Sequence, residues 1–155
     1  MEKAEVHISV NKKAGFLYLI TQKQEAGVQL TGTEIKSIRN KQASINEAHC
    51  FFIKGELWIR GMHIAEYKEG THYNHAPKRD RKLLMRKTEL RKLQNRVREK
   101  GFTIVPVRLY IGKRGFAKIE IGLAKGKRKF DKRDDVKKRD AARELKREEK
   151  EIRNR

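Results

Sequence analysis

The spacing of apolar residues changes period several times along the chain, and each change predicts an element. Phe16, Tyr18 and Ile20 alternate with Leu17 and Leu19, which predicts a strand with two apolar faces. Val28 and Leu30 alternate with polar neighbours and predict a second strand. Gly32-Thr33-Glu34 then turns into a short helix: Thr33 caps it, Glu34 suits its positive end, and Ile35 and Ile38 share one face. His49 to Ile53 and Glu56 to Ile64 flank Lys54-Gly55, a two-residue link of the kind that closes a hairpin. Phe102 to Ile111 is rich in β-branched residues, and its Pro106 predicts an edge position or a bulge. Gly112-Lys113-Arg114-Gly115 leads into Phe116 to Leu123, where Ala117, Ile119, Ile121 and Leu123 alternate with Lys118 and Glu120. That alternation turns Lys118 and Glu120 outward.

One good helix separates the strand groups. Thr88 is its expected N-cap, Leu90, Leu93 and Val97 form a stripe, Arg98 and Lys100 complement the C-terminal dipole, and Gly101 ends it. About six or seven short strands with one interposed helix predict a mainly β fold with flanking helices. The expected architecture is a small closed β-barrel of the oligonucleotide-binding (OB) type, although periodicity is also compatible with another α+β arrangement.

The end of the chain has a different pattern. From Gly126 onward the apolar residues are Phe130, Val136, Ala141, Ala142, Leu145 and Ile152, too little surface to offset the entropy of ordering. Pairs such as Asp134–Lys138 and Glu149–Arg153 favour a helix, while Arg139–Arg143 and Glu144–Glu148 oppose it. Residues 1–124 are therefore expected to form a core, and residues 125–155 a basic tail, disordered when free and helical when bound.

Charge narrows the partner. Lysine and arginine number 40 against 20 acidic residues, a net charge of +20 in 155 residues. Such an excess opposes compaction and points to a polyanion. No apolar run approaches the ~20 residues that span a bilayer, so nucleic acid is favoured over a membrane. Met1 to Val10 contains two glutamates and no apolar h-region, unlike a secretory signal. The single cysteine, Cys50, lies in an apolar run and reads as a buried core thiol, which agrees with a reducing cytoplasm.

The residues offer little to catalysis. There is no metalloprotease motif, no phosphate-cradling glycine loop before a helix and no nucleophile elbow. His72 and His75 are three apart, but no further ligands cluster nearby, and they read as a polar loop. Glu25 and Glu34 are imaginable as an acid/base pair, yet nothing in the sequence fixes their separation. The expectation is a binding protein without enzymatic activity, metal or cofactor.

The basic clusters are more informative. From Pro77 to Lys100 there are eleven cations, among them Arg79, Arg81 and Lys82, against three acids. A solvated helix face needs charge but not one sign, whereas phosphate binding accounts for the sign directly. A second cluster, Lys125-Gly126-Lys127-Arg128-Lys129, precedes Phe130, which is either a residual core anchor or a platform for stacking on a base.

Five strings go further. Glu25-Ala26-Gly27, Gly32 to Arg39 (GTEIKSIR), Pro77 to Leu84 (PKRDRKLL), Gly122 to Lys127 (GLAKGK) and Asp131-Lys132-Arg133 occur in order across nearly the whole chain from Asn11. Together they resemble the bacterial SsrA-binding protein family, also called small protein B. The resemblance implies a factor that binds transfer-messenger RNA (tmRNA) through its tRNA-like part. It would bring tmRNA to ribosomes stalled on messages lacking a stop codon, for trans-translation: tagging of the nascent chain and rescue of the ribosome. It implies an OB-type barrel acting as a monomer in the cytoplasm, and a tail that becomes helical in the empty mRNA channel near the decoding centre.

Carried over by motif, Glu25, Leu84 and Lys118 fall at tmRNA-binding positions, and Asn11-Lys12-Lys13 matches the opening of the family core. With the cations Arg79, Arg81 and Lys82 they make up the expected tmRNA-binding set. Lys125, Lys127, Phe130, Asp131, Lys132 and Arg133 are the expected ribosome-binding part of the tail. The chain departs from the family pattern at Gly15-Phe16, Met85-Arg86 and Phe130. From the residues alone, Glu25 is an acceptor for base or 2′-hydroxyl donors. Leu84 reads equally as a core residue or an apolar contact to a base. A structural protein of the ribosome is the competing expectation, since it would also be small, basic and tailed.

Overall fold

The computed structural model describes residues 4–70, 74–99, 101–126 and 129–153. The elements run β1 (Val6–Val10), α1 (Lys12–Leu17), β2 (Tyr18–Val28), α2 (Gly32–Arg39), β3 (Ala43–Ser44), β4 (His49–Ile53), β5 (Glu56–Arg60) and β6 (His63–Ile64), followed by β7 (Arg81–Leu84), α3 (Lys87–Arg98), β8 (Phe102–Ile111), β9 (Ala117–Gly126) and α4 (Lys129–Arg153). The fold is mainly β with a C-terminal helix. No helix among the described residues is long and apolar enough to cross a membrane.

The expected closed barrel is corrected. Seven strands form one sheet in the order β1-β8-β9-β2-β7-β5-β4, with neighbours pairing antiparallel, and β3 pairs with β6 separately. The sheet has two ends, at β1 and β4, and among the described residues no ladder joins them. Beside β1 the Ser9 hydroxyl accepts from the Ile45 N–H at 3.2 Å.

Three strands carry an extra residue; β1 shifts against β8 between His7 and Ser9. β2 shifts register against β9 between Ile20 and Gln22, and β8 shifts between Pro106 and Arg108. Pro106 thus sits at a bulge, one of its two expected settings, and β8 is interior to the sheet rather than an edge. Each bulge swaps the face of the residues beyond it. Ile104 and Leu109 both face the main core, although one is even-numbered and the other odd. Leu57, Ile59, Leu83, Ile119 and Ile121 join them there with Leu93 of α3. On the opposite face Ala14 of α1 packs with Val105, Ala124, Tyr18 and Ile20.

Local chemistry explains most element ends. Lys54 and Gly55 take φ of 49° and 78°, the left-handed pair that a two-residue hairpin requires. Helix α2 is capped by Thr31 rather than Thr33: the Thr31 N–H donates to Glu34 Oε1 at 2.9 Å. Helix α3 begins after Arg86, so Thr88 lies inside its first turn instead of capping it. The apolar run Phe16 to Ile20 is divided, with Phe16 and Leu17 ending α1 and the strand beginning at Tyr18. That strand continues to Val28, so the two strands expected on either side of residue 21 are one.

Cys50 is buried in the main core, and burial pushes its thiol up to about 12. His75 is also buried; Thr33 Oγ1 and the Ile64 carbonyl each lie 2.9 Å from its two ring nitrogens. Its expected loop partner His72 lies outside the described residues.

Candidate nucleic-acid interface

The site follows from register. Counting outward from the Gly112–Gly115 turn, Tyr110 pairs with Lys118, which pairs with Gly27; one step on, Arg108 pairs with Glu120, which pairs with Glu25. Opposed residues share a face, so these two rows lie side by side on the outer surface of β8, β9 and β2. Beyond Gly27, the same row reaches Leu84 on β7.

Glu25 is the centre of this surface. Lys118 Nζ donates to its Oε1 at 2.6 Å and the Tyr110 hydroxyl donates to Oε2. Those two donors hold the Glu25 carboxyl below the usual carboxylate range, against an upward push from burial. Burial, and then Glu25 itself, push the Tyr110 hydroxyl up, so it remains a donor. The Arg108 guanidinium stacks 4.0 Å from the centre of the Tyr110 ring and binds Glu120 at 3.0 Å. The carboxylate is therefore fixed in place while about half its side chain stays open to solvent.

Gly27 supplies the space. Having no side chain, it leaves a shallow depression lined by Glu25, Leu84, Met85, Arg86, Glu89 and Lys118. Leu84 is 49% exposed at its rim, which makes it a surface contact rather than a core leucine. Lys118 points outward with Glu120, as its alternation predicts.

The other expected residues divide. Lys12 and Lys13 are exposed on α1, with Lys13 bound to Glu47 at 2.8 Å. Asn11 is 8% exposed and positions that helix: its backbone N–H donates to the Val107 carbonyl at 2.8 Å and its Nδ2 to the Pro106 carbonyl at 2.9 Å. Helix α1 packs through Ala14 against Val105 and Ala124, on the face of the sheet that also carries Glu25.

Arg81 is turned inward, away from any phosphate, while Arg79 stays about one-third exposed; both are bound to Glu34. Arg81 is wholly buried; it ion-pairs with Glu34 and donates to the carbonyls of Met62 at 2.7 Å and Pro77 at 3.2 Å. Arg79 binds Glu34 at 2.5 Å. Burial pushes the Glu34 carboxyl up, but Arg79, the Thr31 N–H and Arg81 outweigh it and hold it below the usual range. Glu34 and Glu25 thus serve separate networks and do not form a pair. Among the described residues no group of three or more His, Cys, Asp or Glu side chains is arranged to hold a metal.

Lys82 binds Glu56 at 2.8 Å and remains partly exposed. Lys125 is exposed at the end of β9, its Nζ 5.7 Å from the centre of the Phe102 ring, with Arg96 at 5.0 Å from the same ring. Lys127 lies outside the described residues. Phe130, Asp131 and Lys132 lie within α4, in the span whose backbone alone is described, and Arg133 is exposed near Phe16. Phe16 packs: Val136 and Lys137 of α4 lie beside it and the Arg139 guanidinium sits 5.3 Å from its ring centre.

Residue reading missed Tyr110, Arg108 and the role of Gly27. The first two were accessible by counting registers back from the Gly112–Gly115 turn. The space at Gly27 depends on which strand lies beside it, and no local signal gives that.

Comparison with known proteins agrees over most of the chain. The SmpB protein family profile matches residues 8–151. An SsrA-binding protein of Cytophaga hutchinsonii is 54% identical over 137 residues, covering 88% of this chain and 90% of the relative. One of Phocaeicola vulgatus is 52% identical over 135 residues, covering 87% and 90%. A chain in a solved structure described as "tmRNA-SmpB: a journey to the center of the bacterial ribosome" superposes with a TM-score of 0.64 at 41% identity, covering 82% of this chain and 92% of that one. With a profile match spanning nearly its whole length and relatives about half identical to it, the chain belongs to the SmpB protein family.

Proposed function

We propose that this protein binds tmRNA and delivers it to ribosomes stalled on messages lacking a stop codon, enabling trans-translation. The observation that carries this reading is the gathering of Glu25, Lys118 and Leu84, distant in sequence, around one solvent-open depression. A carboxylate fixed by two donors retains lone pairs for base amino groups or ribose 2′-hydroxyls, which lysines cannot engage. The exposed Leu84 offers an apolar surface to a base. Lys12, Lys13 and Lys82 contribute charge to phosphates, Asn11 positions the first two, and Arg79 and Arg81 act from within by fixing the segment before β7.

In this reading residues 1–124 are the tmRNA-binding unit, an OB-like sheet curled without closing. Residues 125–155 are a ribosome-probing tail, mobile in the free protein and helical in the mRNA channel near the decoding centre. Lys125, Lys127, Phe130, Asp131, Lys132 and Arg133 would make its first ribosomal contacts. The work is binding and delivery, without catalysis or cofactor, by a monomer in the cytoplasm.

Filter binding at physiological salt against tmRNA and bulk tRNA tests the reading. The expected result is a clear preference for tmRNA, reduced about tenfold or more by Glu25→Gln. Equal affinity for both RNAs would overturn it.

A further inference from the structure

The depression at Glu25 does not end at Leu84. Beyond Leu84 and Met85, which border both, lies a second and larger hollow with Leu90 on its far wall. Lys54, Lys82, Lys87 and Arg91 line it. These cations come from three separate pieces of chain: the β4–β5 turn, β7 and the first two turns of α3. The one acid lining the hollow is Glu56, already bound to Lys82 at 2.8 Å. Among the described residues no ion pair involves Lys54, Lys87 or Arg91.

Lys54 provides a separate observation. It occupies the first position of the hairpin turn with φ of 49°, a left-handed conformation suited to asparagine or glycine. The hairpin turn sets that conformation, and the lysine side chain it carries lines the hollow with no ion pair among the described residues.

We propose that this hollow is a phosphate track, carrying the backbone of the same RNA strand that is read at Glu25, with Lys54, Lys87 and Arg91 neutralising its phosphates while Leu84 and Leu90 face sugar or base. The shared Leu84–Met85 border makes the two hollows one path. Three unpaired cations beside the apolar Leu84 and Leu90 match a nucleic-acid strand, with its charged phosphates and its apolar base faces. The proposal rests on the reading of the protein as a tmRNA-binding factor and adds the direction in which the strand leaves the reading site.

The test is the salt dependence of tmRNA binding by the full chain and by the triple variant Lys54→Gln/Lys87→Gln/Arg91→Gln. Each neutralised phosphate contributes about 0.7 to 0.9 to the slope of log K against log salt. The variant should therefore show a slope shallower by about 2 to 3, with its melting curve unchanged and its preference for tmRNA over tRNA retained. A charge-matched control, Arg39→Gln/Lys41→Asn/Lys68→Gln, should keep the full slope. An unchanged slope in the first variant, or an equal fall in the control, overturns the track. Loss of ribosome association with the tmRNA slope intact would assign the hollow to a contact with the ribosome and overturn it equally. If the unaltered protein binds tmRNA and tRNA alike, the functional reading fails, while the slopes measured on both RNAs still decide the track.

Discussion

Glu34 and Arg81 form an ion pair from which water is excluded on both sides, each side chain being wholly buried. Arg79 binds the same carboxylate, and the carbonyls of Met62, Ala76, Pro77 and Arg79 take up the remaining Arg81 donors. The pair ties α2 to the start of β7, the strand that presents Lys82 and Leu84.

Arg81→Leu should destabilise the protein by about 3–5 kcal/mol, because it leaves a buried carboxylate short of a partner. In a chain of this size that corresponds to a melting temperature lower by about 10 °C. Lys82→Ala, which removes a partly exposed pair with Glu56, should cost under about 1 kcal/mol. Thermal melts of the two variants check the contrast.

Acid should weaken the fold through the same group. Glu34 is held below its ordinary value of 4.5 in the folded state. Its contribution is therefore fully present above that ordinary value and is lost as pH falls from it through the folded value. Urea melts in steps from pH 7 to pH 3 should show this contribution holding down to about pH 4.5 and declining below it. Glu34→Gln should be less stable at pH 7, with the difference narrowing on acidification.

Gly27→Val should fill the depression without disturbing the sheet. A Cβ there meets Leu84 Cβ at 3.4 Å, ordinary contact, and the strand conformation suits a β-branched residue. Stability should change by less than about 1 kcal/mol. Affinity for tmRNA should fall tenfold or more, which a binding isotherm beside a melt would separate from unfolding.

Removing the chain from Lys129 onward should leave tmRNA affinity nearly intact and abolish peptide tagging in a reconstituted translation system. Helix α4 meets the rest of the protein near Phe16, and Val136, Leu145 and Ile152 are exposed along it. Its amides beyond Arg139 should accordingly show little protection from hydrogen exchange, about tenfold at most. A large loss of RNA affinity on truncation would make the tail an electrostatic arm instead.

The hairpin at Lys54-Gly55, the bulge at Pro106 and the outward stance of Lys118 were legible because each depends on neighbours in sequence. The single strand β2 was not: the extra residue at Thr21 shifts the apolar phase midway, so one strand reads as two fragments. Arg81 misled for a different reason. A run of cations discloses sign, but an acid 47 residues away turns this one inward. The depression at Gly27 was likewise hidden, since it exists only once β7 lies alongside β2.

The bulges have a consequence for how the sheet can vary. β9 pairs with β2 and β8 on either side, and each of those neighbours holds one residue of slack against it. Losing Thr21 would regularise β2 and leave each of its pairings with β9 in place. β9 contributes no slack of its own; it is the ruler. A residue lost near Glu120 would turn half the strand over, carrying Lys118 inward or Ile121 outward. Length is therefore a stricter inheritance in β9 than composition.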